Sequence, residues 1–218
     1  MARKEIRVPN YTLGEELVNS ISHGVGAALG IAALVLTIVA SARNHNTIGL
    51  VSSCVYGATM ILMFLMSCIY HALSPKLKGK KVFRVIDHCD IFVFIAGTYT
   101  PYCLSLIGGT KGWILFAVVW GCAVVGATFN AIDLERFSRP STVMYLLMGW
   151  MILFSYRDLK AALDPVGLWL LVGGGIAYSV GALLYAIGSK RKYFHSVFHF
   201  FVLAGSILQF FSIYLYVL

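Results

Sequence analysis

Seven stretches of this chain run without a single Asp, Glu, Lys or Arg: 17–42, 44–75, 91–110, 112–132, 140–156, 165–189 and 193–218. A helix needs roughly 20 residues to cross a ~30 Å hydrocarbon layer. Each stretch is near or above that length, with 140–156 the shortest. Backbone crossing a bilayer must satisfy its own hydrogen bonds, so stretches of this kind form helices. The pattern predicts an all-α integral membrane protein, a single seven-transmembrane helical bundle over residues 1–218. Residues 1–14 form a short, basic and loose segment ahead of it. Little chain is left for a soluble domain, in keeping with 59% hydrophobic and 12% charged residues.

The net charge of +8 invites a nucleic-acid reading, but its distribution argues against one. Thirteen of the 17 basic residues fall before the first stretch and in alternate connectors: Arg3, Lys4, Arg7, Lys76, Lys78, Lys80, Lys81, Arg84, Arg136, Arg139, Lys190, Arg191 and Lys192. The intervening connectors hold Arg43, Lys111, Arg157 and Lys160. This asymmetry is the positive-inside bias, and it predicts a cytoplasmic N-terminus and an external C-terminus in the cell membrane. Ala40-Ser41-Ala42 looks like a signal-peptidase site, yet the apolar stretch before it is too long for a signal core and carries Glu15-Glu16 where a basic flank belongs. The cysteines Cys54, Cys68, Cys89, Cys103 and Cys122 form no CxxC and are expected to pack as small apolar residues.

The candidate chemistry lies in the polar residues that remain. His195 and His199 are four apart in the last stretch, so they share a helix face roughly 5 to 10 Å beyond Lys192. Ser67 and His71 repeat that spacing near the end of the second stretch, five residues before Lys76. Asp87 and Asp90 share a face at the entry of the third. An N-terminal helix dipole accounts for one acid there, but not for both. Glu16, Asn19 and His23 form one stripe in the first stretch, most simply read as polar groups that hydrogen-bond neighbouring helices. In the proposed topology all of these fall in the cytoplasmic third, whereas His45 sits in an external loop. Buried imidazoles are costly in a bilayer and need partners. Three of them with a fourth position open fit a catalytic zinc site. A two-histidine, one-carboxylate iron site through Asp87, or a ligand from Cys68 or Cys89, is a weaker alternative. The acidic and basic residues between 133 and 139 read as a solvated loop, and Pro101 as a kink.

The ordered motifs Glu16-x-x-Asn19-x-x-x-His23, Ser67-x-x-x-His71, Asp87-His88, Ala96-Gly-Thr-Tyr-Thr-Pro101 and His195-x-x-x-His199 span nearly the whole chain. In them the sequence resembles the hemolysin III family, the bacterial branch of the progestin and adipoQ receptor group. The resemblance implies a seven-helix fold with Zn2+ held by His71, His195 and His199. It further implies that Asp87 contacts the metal-bound water and that Ser67 lies nearby, with Glu16, Asn19, His23 and Asp90 as supporting polar groups. The wider superfamily includes membrane ceramidases, which points to hydrolysis of a lipid amide or ester. Membrane lipids, an acyl amide or a free fatty acid, are then the expected partners. A non-catalytic regulator or lipid sensor with a structural zinc is the first alternative. A pore-forming cytolysin is the second, and the confinement of polar groups to one third of the depth argues against it.

Overall fold

The computed structural model describes residues 6–188 and 191–218. The predicted roles of Arg3, Lys4 and Lys190, and the last residue of the 165–189 stretch, lie outside the described residues. Every regular element among the described residues is helical. The first helix, α1 (Leu13–Arg43), opens on a capping box: Thr12 accepts from the Glu15 backbone N–H, and the Glu15 carboxylate accepts from the Thr12 N–H at 2.9 Å. A short turn through Asn44–Asn46 leads to α2 (Thr47–Ala72), which stops before Pro75. Then comes α3 (Lys78–Pro101), which passes at Pro101 into a π-helical turn, Tyr102–Ile107. Gly108 (φ 62°) ends that turn in a conformation that costs glycine little.

The next helix, α4 (Gly109–Trp150), is 42 residues long and is broken at Asp133, whose backbone is extended (φ −154°, ψ 88°). Asp133 Oδ1 accepts from the Arg136 N–H at 3.1 Å, as an N-cap does. One rod therefore ends and another begins with no loop between them. This corrects the expected solvated loop over 133–139. A 3₁₀ turn (Met151–Ser155), the short α5 (Tyr156–Ala162), α6 (Pro165–Gly188) and α7 (Phe194–Tyr216) complete the chain. Among the described residues, six helical runs are long and apolar enough to cross a membrane, and Gly109–Ala162 counts among them as one 54-residue run. The hydrophobic pattern of the sequence predicts two spans within that run.

Each long helix packs on the next, and α7 returns to α1 and closes the bundle. Its interior inverts the usual order. The inward face of α1 is small and polar (Asn19, Ser22, His23, Gly26, Gly30, Ala33, Thr37, Ser41), while Leu17, Ile21, Val25 and Leu29 face outward. Lipid provides no hydrophobic drive between helices, so close contact of small residues holds them together. Gly26 lies against the Phe64 ring, and Gly97 of α3 against Thr59 of α2. The Ala96–Pro101 motif does structural work here. Tyr99 Oη accepts from the Ile152 N–H at 2.8 Å and donates to the Met148 carbonyl at 2.7 Å, bridging the break after α4. Thr100 accepts from Trp120 Nε1 at 3.2 Å.

The N-terminal segment is more ordered than its composition suggests. Arg7 donates its backbone N–H to Glu135 at 3.0 Å, and Glu135 also pairs with Arg84 of α3. Tyr11 lies over the histidines described below. These tertiary partners override the expectation of a loose segment for residues 6–14.

Candidate metal centre

His71 occupies the last turn of α2, and His195 and His199 the first turns of α7. The start of α7 is fixed by Tyr193, which has a left-handed backbone (φ 63°) and donates its N–H to Glu15 Oε1 at 2.7 Å. A carboxylate on α1 thus sets where α7 begins and anchors the depth of both its histidines. The ring nitrogens converge. His195 Nε2 lies 3.2 Å from His71 Nε2 and 3.1 Å from His199 Nε2, and one ligand atom from each of the three lies within 4.8 Å of the others.

Three lone-pair nitrogens facing one another at that range need a proton or a cation between them. A tetrahedral zinc with Zn–N bonds of about 2.0–2.1 Å would set its ligand nitrogens about 3.3 Å apart. The far ring nitrogens of His71 and His199 support tautomers that leave Nε2 bare. His71 Nδ1 is 2.6 Å from Glu16 Oε2, so Nδ1–H donates to the carboxylate and Nε2 is left bare. Ser22 Oγ lies 3.5 Å from His199 Nδ1 and donates its own proton to the Asn19 carbonyl, which leaves its oxygen free to accept. His195 Nδ1 is buried with no partner among the described residues. Donor set, spacing and orientation all fit a metal ion.

The supporting polar residues gather here too. Asn19 Nδ2 is 3.4 Å from His71 Nδ1, and Asn19 Oδ1 accepts from Ser196 Oγ at 2.6 Å, linking α1 to α7. His23 stacks on His199 with centroids 3.6 Å apart, and neither of its nitrogens has a hydrogen-bond partner among the described residues. Ser67 is buried one turn from His71 on α2. The acids of α3 stand apart from the imidazoles. Asp87 Oδ2 is 3.6 Å from His88 Nδ1, which itself donates to the Arg84 carbonyl. Asp90 is buried, with Oδ2 unpartnered among the described residues. Neither carboxylate belongs to the converging group, so a two-histidine, one-carboxylate centre is not what the side chains form. The two cysteines are engaged elsewhere: Cys68 with Ser20, and Cys89 with the Ala127 carbonyl.

The sequence pattern of a family described as Haemolysin-III related matches residues 11–210, which include every residue of this centre. The chain belongs to this family. It is 38% identical to Hemolysin-3 of Bacillus cereus over 219 residues, covering 100% of this chain and 98% of that protein. It is 40% identical to the Hemolysin-3 homolog of Bacillus subtilis (strain 168) over 206 residues, 94% and 96% of the two chains. A more distant likeness, 24% over 178 residues, reaches the human monocyte to macrophage differentiation factor, with 76% of this chain and 70% of that one covered. As a Haemolysin-III related protein, the chain is a membrane protein.

Sequence reasoning overlooked four contributors to the centre: Tyr11, Ser22, Ser196 and Lys80. Tyr11 stacks on the His195 ring (centroids 5.0 Å apart, 15° between planes), and burial pushes its phenol well above the ordinary tyrosine range, so it stays a neutral hydroxyl. Ser22 and Ser196 are ordinary on a helix and acquire meaning only from what they face. Lys80, counted above as an orientation charge, is fully buried and donates to Glu16 Oε1 at 2.6 Å. A lysine one turn from Arg84 and two residues into a helix gives no sequence signal of that kind.

Proposed function

We propose that this protein is a zinc-dependent hydrolase of lipid amides or esters, acting at the cytoplasmic leaflet of the cell membrane. In this reading the run Gly109–Ala162 crosses twice, which makes seven spans, with the N-terminus inside and the C-terminus outside. One observation carries the proposal: three imidazoles from α2 and α7 turn bare nitrogens toward one buried point, and a carboxylate orients one of them. When bound there, zinc would supply Lewis acidity and bring the pKa of its water to about 7.

The chain's own residues would do the rest. Asp87 would take the proton from the attacking water and return it to the leaving amine or alcohol, with one bond to carbon formed and one broken. Ser67 would donate a hydrogen bond to the oxygen on which charge develops. The acyl chain would enter sideways between helices, where Leu, Ile and Val already face lipid. A second reading, a non-catalytic regulator in which the metal ties α2 to α7, rests on the same three nitrogens, which join the end of α2 to the start of α7.

Elemental analysis of the detergent-purified protein, paired with mass-spectrometric lipid turnover in proteoliposomes, tests both. Stoichiometric zinc is expected, with turnover abolished in Asp87→Asn while the metal is retained. Zinc without any turnover by the wild type would select the regulator. Metal-free wild type, or undiminished binding in His71→Ala and His199→Ala, would overturn the centre itself.

A further inference from the structure

We infer that Lys80 is a positioning residue of the metal centre, acting on His71 through Glu16. Four of the other basic residues on the same side, Lys76, Lys78, Arg191 and Lys192, stay exposed, which is all that an orientation signal requires. Lys80 does not. Its side chain is fully buried, and taking an ammonium out of water is costly unless partners replace the lost hydration.

Those partners are specific. Nζ donates to Glu16 Oε1 at 2.6 Å and to the Leu73 carbonyl at 2.8 Å, and it stands 5.0 Å from the centroid of the Tyr70 ring. Leu73 is the C-cap of α2, two residues past His71, and its carbonyl is among those a helix end leaves without a partner. One ammonium therefore joins α1, the end of α2 and the first turn of α3 around the first histidine.

Glu16 is the pivot. Its two oxygens are taken on opposite errands, Oε1 by Lys80 and Oε2 by His71 Nδ1 at 2.6 Å. A carboxylate pinned at both oxygens cannot turn away from the imidazole. The bond to Nδ1 is what leaves Nε2 bare and aimed at His195 Nε2. Lys80 touches none of the converging nitrogens, so its effect on them passes through the carboxylate. This role presupposes the metal-binding reading of the three histidines.

The test uses the full chain in detergent, with zinc affinity measured by competition against a chromophoric chelator and with metal-free thermal stability measured alongside. Lys80→Met is expected to weaken zinc about 10- to 100-fold, the usual cost of losing an outer-sphere partner. Lys80→Arg, which keeps the charge and the donors, should restore most of that loss, and Lys78→Ala should bind as the wild type does. Because Lys80 acts through Glu16, Glu16→Gln combined with Lys80→Met should bind zinc no worse than Glu16→Gln alone.

Zinc affinity in Lys80→Met equal to wild type would overturn the inference while leaving the metal centre standing. A lower metal-free melting temperature with unchanged affinity would do the same, since it would make Lys80 a purely structural tie. If Lys80→Met fails to fold, the comparison of Glu16→Gln with the double variant decides, and a further tenfold loss in the latter overturns the inference. A wild type that binds no zinc overturns both.

Discussion

His23 shows how little a residue's type says about its role. It belongs to the Glu16–Asn19–His23 stripe and lies beside three converging imidazoles, yet its ring stacks on His199 and both nitrogens lack a partner among the described residues. It serves as a flat aromatic wall. His23→Phe should therefore keep zinc binding within about 3-fold and raise stability by about 1 kcal/mol, since an unsatisfied buried polar group costs about 1–3 kcal/mol. Melting temperature and chelator competition would check this, and a tenfold loss of zinc would make His23 a ligand. The i, i+3, i+7 spacing placed the stripe on one face, but which of its members bonds and which stacks depends on side chains from α2 and α7. Glu16 meets His71 and Lys80 only because the end of α2 and the start of α3 fold back beside α1.

Among the elements, α1 and α2 form the tightest seam. Their long apolar stretches and the small residues Gly26 and Gly30 are plain in the sequence, while the partner of each glycine is not. A β-carbon on Gly26 would stand 2.4 Å from the Phe64 ring, inside a fully packed core. Gly26→Ala should thus cost about 1–3 kcal/mol by overpacking. Gly121 on α4 has open space around it, so Gly121→Ala should be neutral or gain up to about 1 kcal/mol from helix propensity. Thermal unfolding of the two variants in the same detergent tests the contrast, and equal effects would mean that the seam is looser than it looks. The stretch 112–156 was harder to read. Charges at 133–139 suggest a loop, because solvated connectors and helix-capping segments share the same residues. Asp133 caps a second rod instead, and the helix resumes at once.

Across the whole molecule, the histidine centre lies at the end that carries most of the basic charge. The opposite end brings the α1–α2 turn to the last residue, where Asn44 donates to the Leu218 carbonyl at 2.8 Å. With the five native cysteines replaced, Lys160→Cys should react with an impermeant maleimide on intact cells, and Lys78→Cys only after permeabilisation. The reverse pattern would invert the proposed orientation. Membrane class and helical content could be read from the one-dimensional order of residues. Burial in lipid is governed by run length and charge, both local properties. The meeting of His71 with His195 and His199, 124 and 128 residues further along the chain, could not be read there, nor could the turning inward of Lys80. Those depend on which helix lies beside which and how each is rotated, and these are settled only when distant side chains compete for the same buried space.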